Sequence, residues 1–166
     1  AIHPFLDGNG RVGRLMVTLF LIERGRLSQP LLYLSDFIER HRSDYYDLLQ
    51  RIRTHGDYAA WLRYFLAGVE ETANDAIARA RKLLILREQF LHAIKSPNAA
   101  GLTDALLSNP YVTIASAARA LSVTQPTATK VVSQLVASGH LRQITRGNWG
   151  KTYLAPAILE AVDLNK

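Results

Sequence analysis

Ile2-His3-Pro4-Phe5-Leu6-Asp7-Gly8-Asn9-Gly10-Arg11-Val12-Gly13-Arg14 opens the chain, and the run Leu15–Ile22, apolar but for Thr18, follows directly. A polar, glycine-rich loop that feeds an apolar helix presents unpaired backbone N–H groups and a partial positive charge, a natural seat for phosphate. Gly8, Gly10 and Gly13 allow tight turning and close approach of a ligand to the backbone. Around that seat stand an imidazole (His3), a hard oxygen ligand suited to magnesium (Asp7), an amide (Asn9) and two guanidiniums (Arg11, Arg14). A base, a metal ligand and an anion clamp so close together point to phosphoryl or nucleotidyl transfer. No Gly-Lys-Ser/Thr follows the glycines, which separates the loop from a Walker phosphate loop.

The stretch resembles the signature of the Fic family, His-x-Phe-x-Asp/Glu-Gly-Asn-Gly-Arg-x-x-Arg. All the fixed positions match: His3, Phe5, Asp7, Gly8, Asn9, Gly10, Arg11 and Arg14. The resemblance continues through Leu32-Tyr33-Leu34-Ser35, Asp44-Tyr45-Tyr46 and Gly56-Asp57-Tyr58, followed by Trp61-Leu62, which look like the family's helices after the motif.

Working outward, the spacing predicts a central, buried helix from about Gly10 to Glu23, ended by Arg24-Gly25-Arg26 with Gly25 as a left-handed cap. Pro30 sets an extended connector, and Ser35 is the expected N-cap of a helix from Asp36 to about Arg53. Phe37, Ile38, Tyr45, Leu48, Leu49 and Ile52 give that helix its period. Asp57 can cap the next helix, which starts at Tyr58 and continues to Leu91. At this helical spacing Tyr33, Phe37, Trp61 and Phe65 read as core packing, and one of Tyr45 and Tyr46 should face outward. His41, His55 and His92 share no metal spacing and read as surface or capping residues.

Lys95–Gly101, broken by Pro97 and Gly101, is the expected domain boundary. Beyond it, Leu102–Leu107 predicts a helix that stops before Pro110. Ile114, Ala117, Ala118 and Leu121, then Ala128, Val131, Val132, Leu135 and Val136, predict two short amphipathic helices across the turn Ser122-Val123-Thr124. Pro126 suits the first turn of the second helix and Gly139 its end. Leu141–Thr145 and Thr152–Ala155 predict strands of a hairpin. Helix-turn-helix plus hairpin resembles a winged-helix domain. Its second helix would present Gln125, Thr127, Thr129, Lys130, Ser133 and Gln134, and its wing Arg142, Arg146 and Lys151, the kinds of side chain that meet phosphates and base edges.

Composition sets the outer bounds. The 166 residues, 48% hydrophobic and 20% charged, are enough for one ordinary or two small globular domains. The apolar runs are too short to span a bilayer. With no cysteine, a disulfide framework and a thiolate metal site are excluded, and a cytoplasmic location is expected. The net charge of +6 is uneven. Residues 1–104 hold 14 Lys/Arg against 12 Asp/Glu, whereas Ala105–Leu159 contains no acidic residue beside Arg119, Lys130, Arg142, Arg146 and Lys151. A basic unit favours a polyanionic partner.

The expected architecture is therefore mainly α: residues 1–95 as the C-terminal part of a Fic-type helical bundle, 96–101 as linker, and 102–166 as a small winged helix-turn-helix domain with a β-hairpin wing. The Fic resemblance implies a protein adenylyltransferase using ATP and Mg²⁺ on a target protein bearing Tyr, Thr or Ser. It gives His3 the role of general base, Asp7 that of magnesium ligand, Gly8, Asn9, Gly10, Arg11 and Arg14 that of nucleotide and phosphate ligands, and Phe5 that of a core anchor for the loop. It also implies helices and a target-docking flap before the motif, hence a longer parent protein. No glutamate is followed by Gly or Asn, so the family's inhibitory helix is expected upstream or in a partner chain. Duplex DNA and a second copy of the chain are further candidate partners, and a membrane is not. Two alternatives stand beside transfer of AMP. One is a DNA-binding transcriptional regulator whose Fic segment senses nucleotide, and the other is a Fic transferase with another nucleotide or phosphate donor.

Overall fold

In the computed structural model, residues 4–29, 33–147 and 150–163 are described. They form eight helices and three strands: α1 Asn9–Glu23, α2 Leu34–Arg40, α3 Arg42–His55, α4 Tyr58–Ala93, α5 Ala99–Ser108, β1 Tyr111–Thr113, α6 Ile114–Leu121, α7 Gln125–Ala137, β2 Arg142–Gln143, β3 Thr152–Leu154 and α8 Pro156–Val162. The protein is mainly helical with one small sheet. No helix among the described residues is long and apolar enough to cross a membrane.

The chain divides into two compact units, residues 1–78 and 79–166. The division falls inside α4, upstream of the 96–101 segment, because Leu86 and Phe90 of α4, with Ile94 just after it, belong to the core of the second unit. Segment 96–101 is itself part of that unit. α5 already starts at Ala99, and the Asn98 amide donates to the Leu121 carbonyl at 2.8 Å, closing the end of α6.

In the first unit α1 ends as its sequence predicts. Gly25 is left-handed (φ 65°), its N–H bonds the Ile22 carbonyl, and Arg26 N–H bonds the Leu21 carbonyl. The expected burial of α1 is not found. Among the described residues only Thr18 is buried, while Leu15, Met16 and Phe20 are 58%, 62% and 54% exposed. Gly10, Gly13, Arg14 and Val17 line one cavity with aromatic side chains and Leu15 and Thr18 a second with Tyr33 and Leu34, whereas Met16, Leu19 and Phe20 are more than half exposed.

The expected single helix from Asp36 to Arg53 is two helices, broken at His41 (φ −113°, ψ 39°), and the first starts at Leu34, one residue ahead of the expected Ser35 cap. α4 decides this break. Phe37 is buried where α4 carries Gly68: a Cβ at Gly68 would lie 2.5 Å from the Phe37 ring. The Tyr64 hydroxyl donates to the His41 carbonyl at 3.3 Å. Burial, with Asp44 nearby, holds the Tyr64 phenol above its ordinary pKa. α4 is capped as expected, Asp57 accepting from Ala60 N–H at 3.1 Å. Tyr33 is exposed, so it is not part of the core; Tyr46 is exposed and Tyr45 half-buried.

The second unit packs α5, α6, α7, α8 and the end of α4 around Phe90, Leu102, Leu106, Leu121, Val132, Leu135 and Ile158. Thr113 and Ser116 form a reciprocal capping box that starts α6. Ser122, left-handed at φ 55°, turns the chain into α7, where Pro126 occupies the first turn. The sheet has the order β1-β3-β2, all antiparallel, with Val112 opposite Tyr153 and Arg142 opposite Leu154. β1, absent from the sequence expectation, is too short to show a period of its own and is defined by its partner β3.

Candidate active site

The glycine-rich loop is built around Asn9. Its side-chain carbonyl accepts from Phe5 N–H at 3.0 Å, and its NH₂ donates to the Phe5 carbonyl at 2.7 Å. This two-bond staple holds the loop shut over the start of α1. Phe5 therefore anchors the loop by its backbone and not, as expected, by burial in the core, the residue being 53% exposed. Gly8 precedes α1 in the left-handed region (φ 82°), a conformation that favours glycine. No side chain caps α1, and the first hydrogen bond across its start is Val12 N–H to the Gly8 carbonyl at 3.0 Å. The N–H groups of the first turn are thus left for an external acceptor.

Both arginines of the motif fold back onto the loop. A Cβ at Gly8 would meet Arg11 Nη2 at 3.5 Å, and one at Gly10 would meet Arg14 Nη1 at 3.4 Å, so these glycines give the guanidiniums room beside the helix start. Arg11 donates to Asp7 at 3.3 Å, and Asp7 also accepts from its neighbour Gly8 N–H at 2.6 Å. Both charged groups are largely open to solvent, so their attraction is screened and weak. Gly13 has open space where a Cβ would be, and no close approach is seen there.

Behind the loop lies a cavity of about 310 Å³, lined on the motif side by Asn9, Gly10, Gly13 and Arg14 and on the other by aromatic residues, Tyr45, Trp61 and Tyr64 among them. Two of its lining side chains carry buried N–H groups without an acceptor among the described residues: Arg14 Nε and Trp61 Nε1. An unpaired buried donor costs on the order of 1–3 kcal/mol, so the Arg14 guanidinium is set to take an acceptor from a ligand. Neither the Asn9 staple nor the free Trp61 indole was legible in the motif, since both follow from positions the chain brings together only on folding.

His3 lies outside the described residues. Of the other motif residues, Asp7, Gly8, Asn9, Gly10, Arg11 and Arg14 are gathered at one helix start. No group of three or more His, Asp or Glu among the described residues could hold a metal by itself. Gln125, Thr127, Thr129 and Lys130 are exposed on α7, and Arg142 and Arg146 are exposed on and just after β2; Lys151, before β3, is half-buried. These belong to the second unit.

The family model "Fic/DOC family" matches residues 1–21. The chain is 36% identical over 77 residues to the protein adenylyltransferase Fic of Nematostella vectensis, covering 46% of this chain and 16% of the relative. It is 37% identical over 71 residues to that of Aedes aegypti, covering 43% and 13%. Against that of Drosophila persimilis it is 31% identical over 116 residues, covering 70% of this chain and 21% of the relative. The chain thus spans about a fifth or less of the length of these relatives. With every fixed motif position present, the family model on the loop and α1, and relatives alike through the helices behind them, the chain belongs to the Fic/DOC family.

Proposed function

We propose that the protein transfers AMP from ATP to a hydroxyl side chain (Tyr, Thr or Ser) of a target protein. The observation that carries this reading is the uncapped, glycine-rich start of α1 with two guanidiniums folded over it, one of them with an unpaired buried Nε. That arrangement suits a polyanionic chain such as a triphosphate. The names of the relatives give the donor and acceptor classes.

In this reading the N–H groups of the first turn of α1, with Arg11, cradle the phosphates, and Arg14 reaches further along them. Asn9 acts mainly through its hold on Phe5 and so keeps the cradle closed. His3 takes the proton from the incoming hydroxyl, its near-neutral pKa suiting a general base. The hydroxyl oxygen bonds to the α-phosphorus, the bond from that phosphorus to the bridging oxygen breaks, and pyrophosphate leaves. Asp7, an exposed carboxylate beside the cradle, fits a magnesium site of the usual kind for nucleotides, in which one protein carboxylate is completed by phosphate oxygens and water. When bound, the ion supplies charge neutralisation on the phosphates. Asp7 must leave Arg11 to do this, and the weak, solvent-screened pair makes that exchange easy.

We further propose that the order α5-β1-α6-α7-β2-β3, with β1 beside β3 in the sheet, is a winged helix-turn-helix. It would be a separate function-bearing part of the chain, residues 102–166.

The test of the transfer reading is isotopic. ATP labelled at the α-phosphate and ATP labelled at the γ-phosphate are each incubated with full-length protein, Mg²⁺ and a cell lysate. Label retained on protein from the α position alone supports AMP transfer. Retention of the γ label points to a phosphate donor instead, and retention of neither refutes transferase activity.

A further inference from the structure

We propose that α7 and the β2–β3 hairpin form a docking surface for duplex DNA, a function independent of the transfer reaction. α7 divides its residues cleanly between core and solvent. Ala128, Val131, Val132 and Leu135 are buried in the second unit's core, while Gln125, Thr129 and Ser133, one turn apart, and Lys130 and Gln134 beside them, are exposed. The outward stripe is free of carboxylates and polar but for Val136 near its end. A helix of 13 residues with one small polar face has the shape the major groove of B-DNA admits.

Charge selects the partner. From Ala105 to Leu159 there is no Asp or Glu, and five Lys/Arg are present. Lys130, Arg142 and Arg146 are exposed and form no ion pair among the described residues. Elsewhere in the chain carboxylates are at hand and several arginines pair with them: Arg40 with Asp36, Glu71 and Asp75, Arg51 with Asp57, Arg87 with Asp104. Cations on a stretch without carboxylates fit a backbone that carries one negative charge per about 1.7 Å of duplex.

The side chains also divide by task. Lys130 on α7, Arg142 on β2, and Arg146 and Lys151 in the hairpin connection are suited to phosphates on either side of an inserted helix. The side-chain amides of Gln125 and Gln134 have no hydrogen-bond partner among the described residues, and they can pair with the edge of adenine. Thr129 donates its hydroxyl back to the Gln125 carbonyl at 2.8 Å, which leaves its methyl as the outward group for a thymine methyl.

Fluorescence anisotropy on the full chain with a short random-sequence duplex tests this. Four phosphate contacts give a salt slope of about −3.6, so affinity should fall ~150-fold between about 50 and 200 mM salt. Lys130→Gln with Arg146→Gln removes two contacts, and the fall should shrink to ~12-fold. Arg26→Gln with Arg53→Gln, exposed arginines of the first unit, should leave the parent slope unchanged. Absence of salt-dependent duplex binding by the parent overturns the proposal. An unchanged slope in the Lys130/Arg146 variant does so too, and so does tighter binding of single-stranded RNA than of the duplex. Loss of transferase activity in the Lys130/Arg146 variant would overturn the independence of the two functions.

Discussion

Asn9→Ala should loosen the nucleotide site without loosening the protein. Asn9 makes two hydrogen bonds to one residue, accepting from Phe5 N–H at 3.0 Å and donating to its carbonyl at 2.7 Å. Each such bond contributes about 0.5–1.5 kcal/mol net, so the pair holds the loop closed by about 1–3 kcal/mol. At 1.4 kcal/mol per tenfold, that corresponds to between about five- and 150-fold in the closed fraction. Both bonds are open to solvent, which places the effect near the lower end, about tenfold. Titration with a fluorescent ATP analogue should therefore give a roughly tenfold weaker Kd, whereas the melting temperature should stay that of the parent, since the loop contributes nothing to either unit's buried core. Hydrogen exchange should accelerate at the Phe5 amide. Nucleotide affinity within twofold of the parent, or an unchanged Phe5 exchange rate, would refute the staple as the device that closes the site.

His3→Ala in the full-length protein should keep nucleotide affinity and lose turnover by about 10²–10⁴-fold, the usual worth of a general base, and unchanged turnover would sink the mechanism. Gly101→Ala should destabilise the second unit by about 1–2 kcal/mol. The new Cβ would sit 2.3 Å from the Ala120 carbonyl oxygen, a backbone atom that cannot swing aside, and this overpacking outweighs the helix-propensity gain of about 1 kcal/mol. Urea denaturation checks this, and an unchanged or raised midpoint contradicts it. Asp57 contributes an acid-side dependence of stability. The Ala60 N–H, then Arg51, hold its carboxyl below the ordinary 3.8 in the folded state. Its contribution is therefore complete above the unfolded value and is lost as pH falls through the lower folded one. Denaturation across that acid range should show a shallower fall for Asp57→Asn, which retains a capping oxygen but does not titrate; the parent's slope in the variant would count against the cap.

The motif was legible because its chemistry is local: eight fixed positions lie within one loop and one helix start, and α1 begins where the glycines say. Asn9 shows more in the structure than the motif states, since both its side-chain polar atoms bond Phe5. An amide beside a phosphate seat looks like a ligand, and only the return of the chain at Phe5 shows that both its polar atoms hold the loop. The helix break at His41 was hidden because apolar residues keep their period through it. Gly68 and Tyr64, more than 20 residues on, impose the break by receiving Phe37 and the His41 carbonyl. The Tyr111–Thr113 strand was invisible for a similar reason, its hydrogen bonds lying with Thr152–Leu154. In α7, by contrast, Ala128, Val131, Val132 and Leu135 are buried where the apolar spacing puts them, and of that set only Val136, at the helix end, is exposed. The exposure of Leu15, Met16 and Phe20 runs against their composition, since hydrophobicity states which residues favour burial and not whether a layer is present to cover them.

Mass spectrometry of target proteins after incubation with full-length protein, ATP and Mg²⁺ tests the central claim most directly. The expected result is a gain of one adenylate on a Tyr, Thr or Ser side chain, with pyrophosphate released in equal amount, and no gain with His3→Ala. A gain of phosphate, a different nucleotide, or an adenylate gain that survives His3→Ala would contradict it.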